Sequence, residues 1–493
     1  MLQLRGPASG ADHADRRGAT TFAICAAAIV IALSALVRSV NHDESQYVAA
    51  IALIRQGLPY RDFAYLQTPL QPLLFAPLAY LPAGWVWIGA RAANAALGIG
   101  TLLLLNSALK KRASPSAILV ALAALTCTGA FLLATSLARN DALAMFLLAA
   151  ALPPLLAANE SGSRGKFALA GLMLGLATSA KINAALPAAG AALFVFIQMP
   201  QHGPGRCLAL FGGALAGVVP TFVMAAIAPG EFRFDVFQYN LEAPVQWWTS
   251  ISQGVELEPA RRIGKLIGFA ALGSVIVALA GTGVDRTRSD DRRILDFMIV
   301  AGIIGAFLPK PALIQYLVPL LPPLLARFAL ALDGAPQPYR RGFILLVAAG
   351  SVAGLASSFV ARFGGVDLTH AAVVGRQVAD IAGPGTVATL SPQYVAGGDV
   401  SLDERFAAGP FLYRTRGELA RIAGTGGRAA TIESFGEAFE RRAPSVIVVG
   451  AEKMSFPGFP QGLDQPLIAW AMAHRYRPTQ LGAGMTAFVR SRG

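Results

Sequence analysis

The chain has 493 residues, 55% of them hydrophobic and only 14% charged, with a formal net charge of +13 and a mean hydropathy of +0.54. Soluble domains carry roughly 25% charged residues, so this composition excludes an ordinary soluble protein and describes a polytopic membrane protein. The basic residues are scattered over short loops, which argues against nucleic acid as a partner and for anionic inner-leaflet lipid.

A membrane helix needs ~20 apolar residues to cross ~30 Å of hydrocarbon, and lipid tolerates only structures that satisfy their own backbone. On that basis the sequence predicts about eleven crossings, at residues 21–40, 84–109, 116–137, 142–158, 167–180, 184–199, 207–228, 263–281, 294–308, 313–332 and 342–361. Arg16 and Arg17, then Lys110 to Arg112, Arg164 and Lys166, Arg206, the stretch VDRTRSDDRR, and Arg340 and Arg341 all fall on alternate loops. Basic residues accumulate on the cytoplasmic side, so these loops face inward. Asp43, Glu44 and everything after Ala361 then face outward. The first crossing follows about twenty polar residues without an A-x-A site and reads as an uncleaved signal anchor. Cys25, Cys127 and Cys207 lie in or beside apolar runs and suit neither disulfides nor a metal site.

Two units are predicted, a membrane part over 1–361 and an outer α/β domain over 362–493. In the second, TVATLS from Thr386, SVIVVG from Ser445 and MTAFVRS from Met485 read as short strands, while residues 433–442 and 467–475 carry helical patterning. GTGG from Gly424 follows no strand and is read as a turn rather than a phosphate loop.

The first outer loop places Asp43 beside Glu44. The pair either caps the next helix, complementing its free amides and dipole, or does chemistry. The residues that follow favour chemistry. Apolar positions recur at helical spacing from Tyr47 to Ile54, but Pro59, Pro69, Pro72, Pro77 and Pro82 forbid a long helix. Short helices lying in the membrane interface are expected, forming a cavity open to lipid-borne and aqueous molecules. The SLARND turn brings Arg139, Asn140 and Asp141 to the same outer side, where ionisable residues either serve function or neutralise one another. Lys181 and Lys310 also fall on outer turns. Each alone is explained by snorkelling. Together, carboxylates and cations on one face supply a base for an acceptor hydroxyl and positive charge for a leaving phosphate.

The strings DESQY, RQGLPYRDF and QTPLQP, the ARND turn, GLATSAKINAAL and PKPALIQYLVPLLPPL resemble the GT-C glycosyltransferases, especially the bacterial aminoarabinose and galacturonosyl transferases and the related protein mannosyltransferases. The resemblance covers the membrane part and is densest over residues 41–82. It implies a mainly α-helical, GT-C-like membrane bundle with a small outer α/β domain. It also implies transfer of a sugar, with inversion, from a polyprenyl-phosphate carrier to an envelope glycan, lipid or protein at the outer face of the bacterial cytoplasmic membrane. Asp43 matches the family's general base and Asp141 its second outer acid. Glu44 could share the base's role with Asp43 in the reacting group, but the family pattern leaves it for orientation or an optional divalent metal, no cofactor being otherwise implied. Arg139, Lys181, Lys310 and Tyr316 are expected at the carrier phosphate, although Gln315 and Tyr316 replace the His or Arg common in relatives. Tyr60 and Arg61, with Tyr239 and Trp247 of the aromatic-rich outer loop after Pro229, are expected at the substrate. That loop reads equally as an interfacial anchor belt, and His42 reads as a surface residue. Two other functions remain: a transporter or flippase, for which no inverted repeat is visible, and a non-catalytic envelope scaffold.

Overall fold

A computed structural model describes residues 10–285, 287–360, 368–457 and 459–491. The expected domain boundary at Ala361, the side chains of Arg16 and Arg17, and Arg286 of the VDRTRSDDRR loop lie outside the described residues.

The apolar runs fold as helices. Helix α1 (Gly10–Val37) leads into the first outer loop, where α2 (Glu44–Leu53) and α3 (Leu70–Leu74) are short and separated by proline-rich turns. The bundle continues with α4 (Trp85–Leu109), α5 (Pro115–Thr126), α6 (Gly129–Ser136), α7 (Asp141–Ser161), α8 (Arg164–Ala180) and α9 (Ala185–Ile197). Among the described residues six helices are long and apolar enough to cross a membrane, or eight if two bent pairs each count as one span. Three further predicted crossings appear as helices of 17, 13 and 18 residues: α8, α9 and Asp290–Phe307.

The two bent pairs explain each other. The predicted crossing at 116–137 breaks between α5 and α6 by 64°, and the one at 263–281 breaks by 89° between Pro259–Ala271 and Val275–Val284. Thr126 and Thr128 turn their hydroxyls back onto the carbonyls of Leu122 and Ala124, competing with the helix ladder. The amide of Gly129 then leaves its own helix for the carbonyl of Leu272 at the other break, 2.8 Å away. Gly273 there has φ 137°, and a Cβ on it would lie 2.7 Å from the Cα of Thr128. Only glycine fits both the conformation and the space.

The outer domain is a five-stranded sheet of order β2-β1-β3-β5-β4, built from β1 (Thr386–Thr389), β2 (Ser401–Leu402), β3 (Val446–Val449), β4 (Arg477–Gln480) and β5 (Thr486–Val489). The first three strands are parallel; β5 and β4 run antiparallel. The expected strands are β1, β3 and β5, and the expected helices fold at Phe435–Arg441 and Gln465–Ala473. GTGG closes a tight turn with Gly426 and Gly427 at positive φ. Helices Leu368–Ala382 and Gly417–Gly424 and strands β2 and β4 were not foreseen.

In the first outer loop α2 is buried over all ten residues, its Tyr47–Leu53 stretch sharing one core with Val387, Leu402 and Val446 of the sheet. After Glu44, Ser45 and Gln46 in its first turn, the sequence YVAAIAL is apolar on every face, which suits a helix enclosed on all sides. Backbone bonds hold the two units together: the Gly84 amide donates to Ala396 O (3.0 Å) and that of Gly398 to Leu81 O (2.7 Å). Arg428 of the outer domain grips Asp235 of the large outer loop through two bonds of 2.8 and 2.9 Å.

Candidate active site

One face of α4 organises the outer end of the bundle. Trp87, Arg91 and Asn94 recur at helical spacing and are buried. Glu44 Oε1 accepts from Trp87 Nε1 (2.7 Å), Arg91 Nε (2.8 Å) and the amide of Ala138 (2.7 Å), and its Oε2 accepts from Arg91 Nη2 (2.6 Å) and the amide of Asn41 (3.0 Å). Arg91 also donates to the carbonyls of Ala35, Arg38 and Ser39 at the end of α1. A buried carboxylate so fully supplied with donors has no lone pair left for a substrate or metal. Glu44 is therefore a structural residue here, which corrects its assignment to the reacting group.

Asp43, one residue earlier, has a different environment. Its side chain is 26% exposed, paired with Arg139 on one side and 3.2 Å from His42 Nε2 on the other. Arg139 in turn donates to Asp141 Oδ2 (2.9 Å), and Lys181 Nζ meets Asp141 Oδ1 at 2.7 Å. Four predicted site residues thus form one chain of alternating charge, Asp43–Arg139–Asp141–Lys181. Asn140 ties it to neighbouring elements, accepting from Lys181 Nζ (3.3 Å) and donating to Ala180 O (2.8 Å). The ring of Tyr47 lies under Arg139, with 5.8 Å from guanidinium carbon to centroid. Tyr316, half-buried, faces Arg139, Asp43 and Asp141.

The outer domain closes the other side. His42 meets the Phe411 ring edge-on at 5.5 Å, and Arg414 lies over Trp247 at 4.2 Å and Phe411 at 5.0 Å. Arg414 bonds Tyr239 and faces both Asp43 and Glu452. Burial alone would raise the Asp43 carboxyl, but Arg139 and His42 more than offset it and hold it well below the usual carboxylate range. His42 shows the converse: burial lowers it, while Asp43 and Glu452 raise it above its ordinary value. Burial pushes Glu452 up to about 7, against the opposing charge of His42.

The remaining predicted residues lie outside this cluster or are engaged. Tyr60 is buried, donates to Gln67 O (2.5 Å) and packs on Phe232, so it is a core residue and not a substrate contact. Arg61 is exposed and spends its guanidinium on Asp62 at 2.8 Å. Trp247 is buried by Phe456, Phe459 and Arg414 and offers no free face for stacking on a sugar. Lys310 is exposed and has no partner among the described residues. Its loop is held by Arg262, which donates to the carbonyls of Phe307 and Pro309.

Sequence reading missed Arg91, Asn94, His42, Arg414, Arg262 and Glu452 as parts of the site. Arg91 carried a signal, being a charge in the middle of an apolar crossing. Arg414 carried a faint one as the last residue of GPFLYR, a string that resembles the GT-C enzymes, and Glu452 had none, since only folding brings the sheet domain over Asp43. Among the described residues no three His, Cys, Asp or Glu side chains gather as a metal-holding group. Arg139 lies between Asp43 and Asp141 where a shared cation would sit, so these residues as placed do not fit a divalent ion.

This bundle with a cluster of charged side chains under a small sheet domain is a GT-C membrane fold. The chain belongs to glycosyltransferase family 87, whose model matches residues 65–311, a span that includes Arg139, Asp141, Lys181 and Tyr239 and begins after Asp43. It is a glycosyltransferase. Its structure is similar to that of ArnT from Cupriavidus metallidurans in the apo state (TM-score 0.62, 14% identity, 97% of this chain and 99% of that one). It is also similar to ArnT bound to undecaprenyl phosphate (0.60, 13%, 97% and 99%), and to the apo oligosaccharyltransferase of Archaeoglobus fulgidus (0.52, 14%, 92% and 71%). No curated protein matches it by sequence.

Proposed function

We propose that this protein transfers a sugar from a polyprenyl-phosphate carrier to an envelope glycan, lipid or protein at the outer face of the bacterial cytoplasmic membrane, with inversion. Residues 1–361 form the transferring membrane part and 362–493 the domain that covers it. The single observation that carries the reading is the partly exposed Asp43 carboxylate, kept ionised by Arg139 and His42 at the junction of the two. Undecaprenyl phosphate bound to ArnT, which has the same fold, supports the choice of carrier.

In this reading Asp43 takes the proton of the acceptor hydroxyl as its oxygen attacks the anomeric carbon. The bond from that carbon to the phosphate oxygen breaks on the opposite face, and polyprenyl phosphate leaves. Arg139 and Lys181 are neutralised by Asp43 and Asp141, so they position the base and the second acid more than they bind phosphate. Of the cations expected at the carrier phosphate, Lys310 has no partner among the described residues and is assigned to the carrier, with the Tyr316 hydroxyl facing the charged chain. Tyr239 and Arg414 line the acceptor side.

The test uses purified protein in detergent, undecaprenyl-phosphate-linked pentoses and hexoses as donors and an envelope extract as acceptor. Turnover of one donor, lost in Asp43→Asn and weakened in KM by Lys310→Ala, is the expected result. A folded Asp43→Asn protein that turns over at the parental rate refutes the reading.

A further inference from the structure

The turn that carries Arg139 is held by groups that belong to no part of the reacting set. The Arg139 amide donates to Leu137 O (2.9 Å), folding residues 137–139 into a three-residue turn. Two of the three carbonyls of that turn, Leu137 O and Arg139 O, are both bound by Asn94 Nδ2 at 2.6 Å. The amide between them, that of Ala138, donates to Glu44 Oε1 at 2.7 Å. Asn94 and Glu44 are fully buried. Glu44 is also continuous with Asp43 in the chain, and through Arg91 it is fixed to the end of α1. The two outer loops that face each other as Asp43 and Arg139 are thus pinned to one face of α4, one by Arg91 and the other by Asn94.

We propose that Asn94 is a positioning residue for sugar transfer. Its two hydrogen bonds set the backbone of the 137–139 turn so that the Arg139 guanidinium meets Asp43 and Asp141 together. A second shell of this kind matters because a group displaced by about 1 Å from its productive place loses on the order of 100-fold in rate. The amide is suited to the task, since one NH2 offers two donors in a fixed fork and a carboxylate at the same place offers none. This inference rests on Asp43 being the base.

The experiment measures turnover against pH for the parent, Asn94→Ala, Asn94→Gln and, as a stability control, Leu122→Ala in the core of α5. The assay uses the undecaprenyl-phosphate sugar that the parent consumes. Asp43 is faced by His42 on its own segment, by Arg139 and Lys181, and by Tyr47 and Tyr316. From the outer side it meets Tyr239, Arg414 and Glu452. Only Arg139 among these is anchored by Asn94. Loosening its turn should weaken the Asp43–Arg139 pair and move the acid limb of the kcat profile to higher pH. At the pH optimum, kcat should fall about ten- to hundredfold while the carrier KM stays within about twofold. Leu122→Ala should lower the melting temperature without moving the limb. Asn94→Gln keeps the amide but displaces it by one methylene, and should move the limb the same way even if Asn94→Ala does not fold. An acid limb unmoved in the folded Asn94 variants overturns the proposal. Asp43→Asn in the same assay separates the two claims: if it retains turnover, the base reading fails whatever Asn94 does.

Discussion

Asp43 and Glu44 are adjacent carboxylates with opposite fates. Glu44 is sealed among Trp87, Arg91, Asn41 and Ala138, with every oxygen supplied by donors, whereas Asp43 stays a quarter exposed between a buried arginine and a half-exposed histidine. A one-residue step at the start of α2 turns the first side chain toward the pocket and the second toward α4. The comparison shows that carboxylate density in a sequence does not measure catalytic capacity. One acid was consumed in fastening the loop that presents the other.

The largest effect should come from Asp43→Asn, which keeps shape and removes basicity. Turnover of a polyprenyl-phosphate sugar should drop about 10²- to 10⁴-fold with the fold intact by size-exclusion chromatography. Glu44→Gln should fail differently. It strands a buried guanidinium, at a cost of about 3–5 kcal/mol, and should appear as poor yield and a lowered melting temperature in detergent. A well-folded, inactive Glu44→Gln beside an active Asp43→Asn would invert the contrast.

A smaller effect should come from the outer wall. The folded-state pKa of Glu452 is raised from 4.5 to about 7, so in that window the folded protein binds more protons than the unfolded chain. Its contribution to stability is complete below about 4.5 and is lost as pH rises through about 7. Glu452→Gln should remove roughly 1–3 kcal/mol of that pH dependence and leave a flatter melting curve from pH 4.5 to 7. An unchanged slope would mean that burial does not raise the Glu452 carboxyl. Smallest of all, Arg61→Ala breaks only an exposed pair with Asp62 and should leave the melting temperature and the donor KM unchanged within error. A raised KM there would return Arg61 to the substrate site.

Much of this molecule was legible before folding. Apolar runs of about twenty residues must be helices in lipid, so the bundle followed from composition, and strands β1, β3 and β5 announced themselves as buried β-branched runs. β2, two residues long, and β4, the exposed edge RPTQ, carry no apolar alternation to read. Charge in the turns was also visible, which is why Asp43, Arg139, Asp141 and Lys181, which the fold brings into one chain of ion pairs, could be singled out. Their pairing was not, because an ion pair between residues 43 and 139 is decided by where α4 carries the two loops. Chain-local patterning determined the helices, the charged loops between them and the acids those loops carry. Only tertiary structure decided which acid is free, through the burial and hydrogen bonds that Trp87, Arg91 and Asn94 impose from a helix forty to fifty residues away.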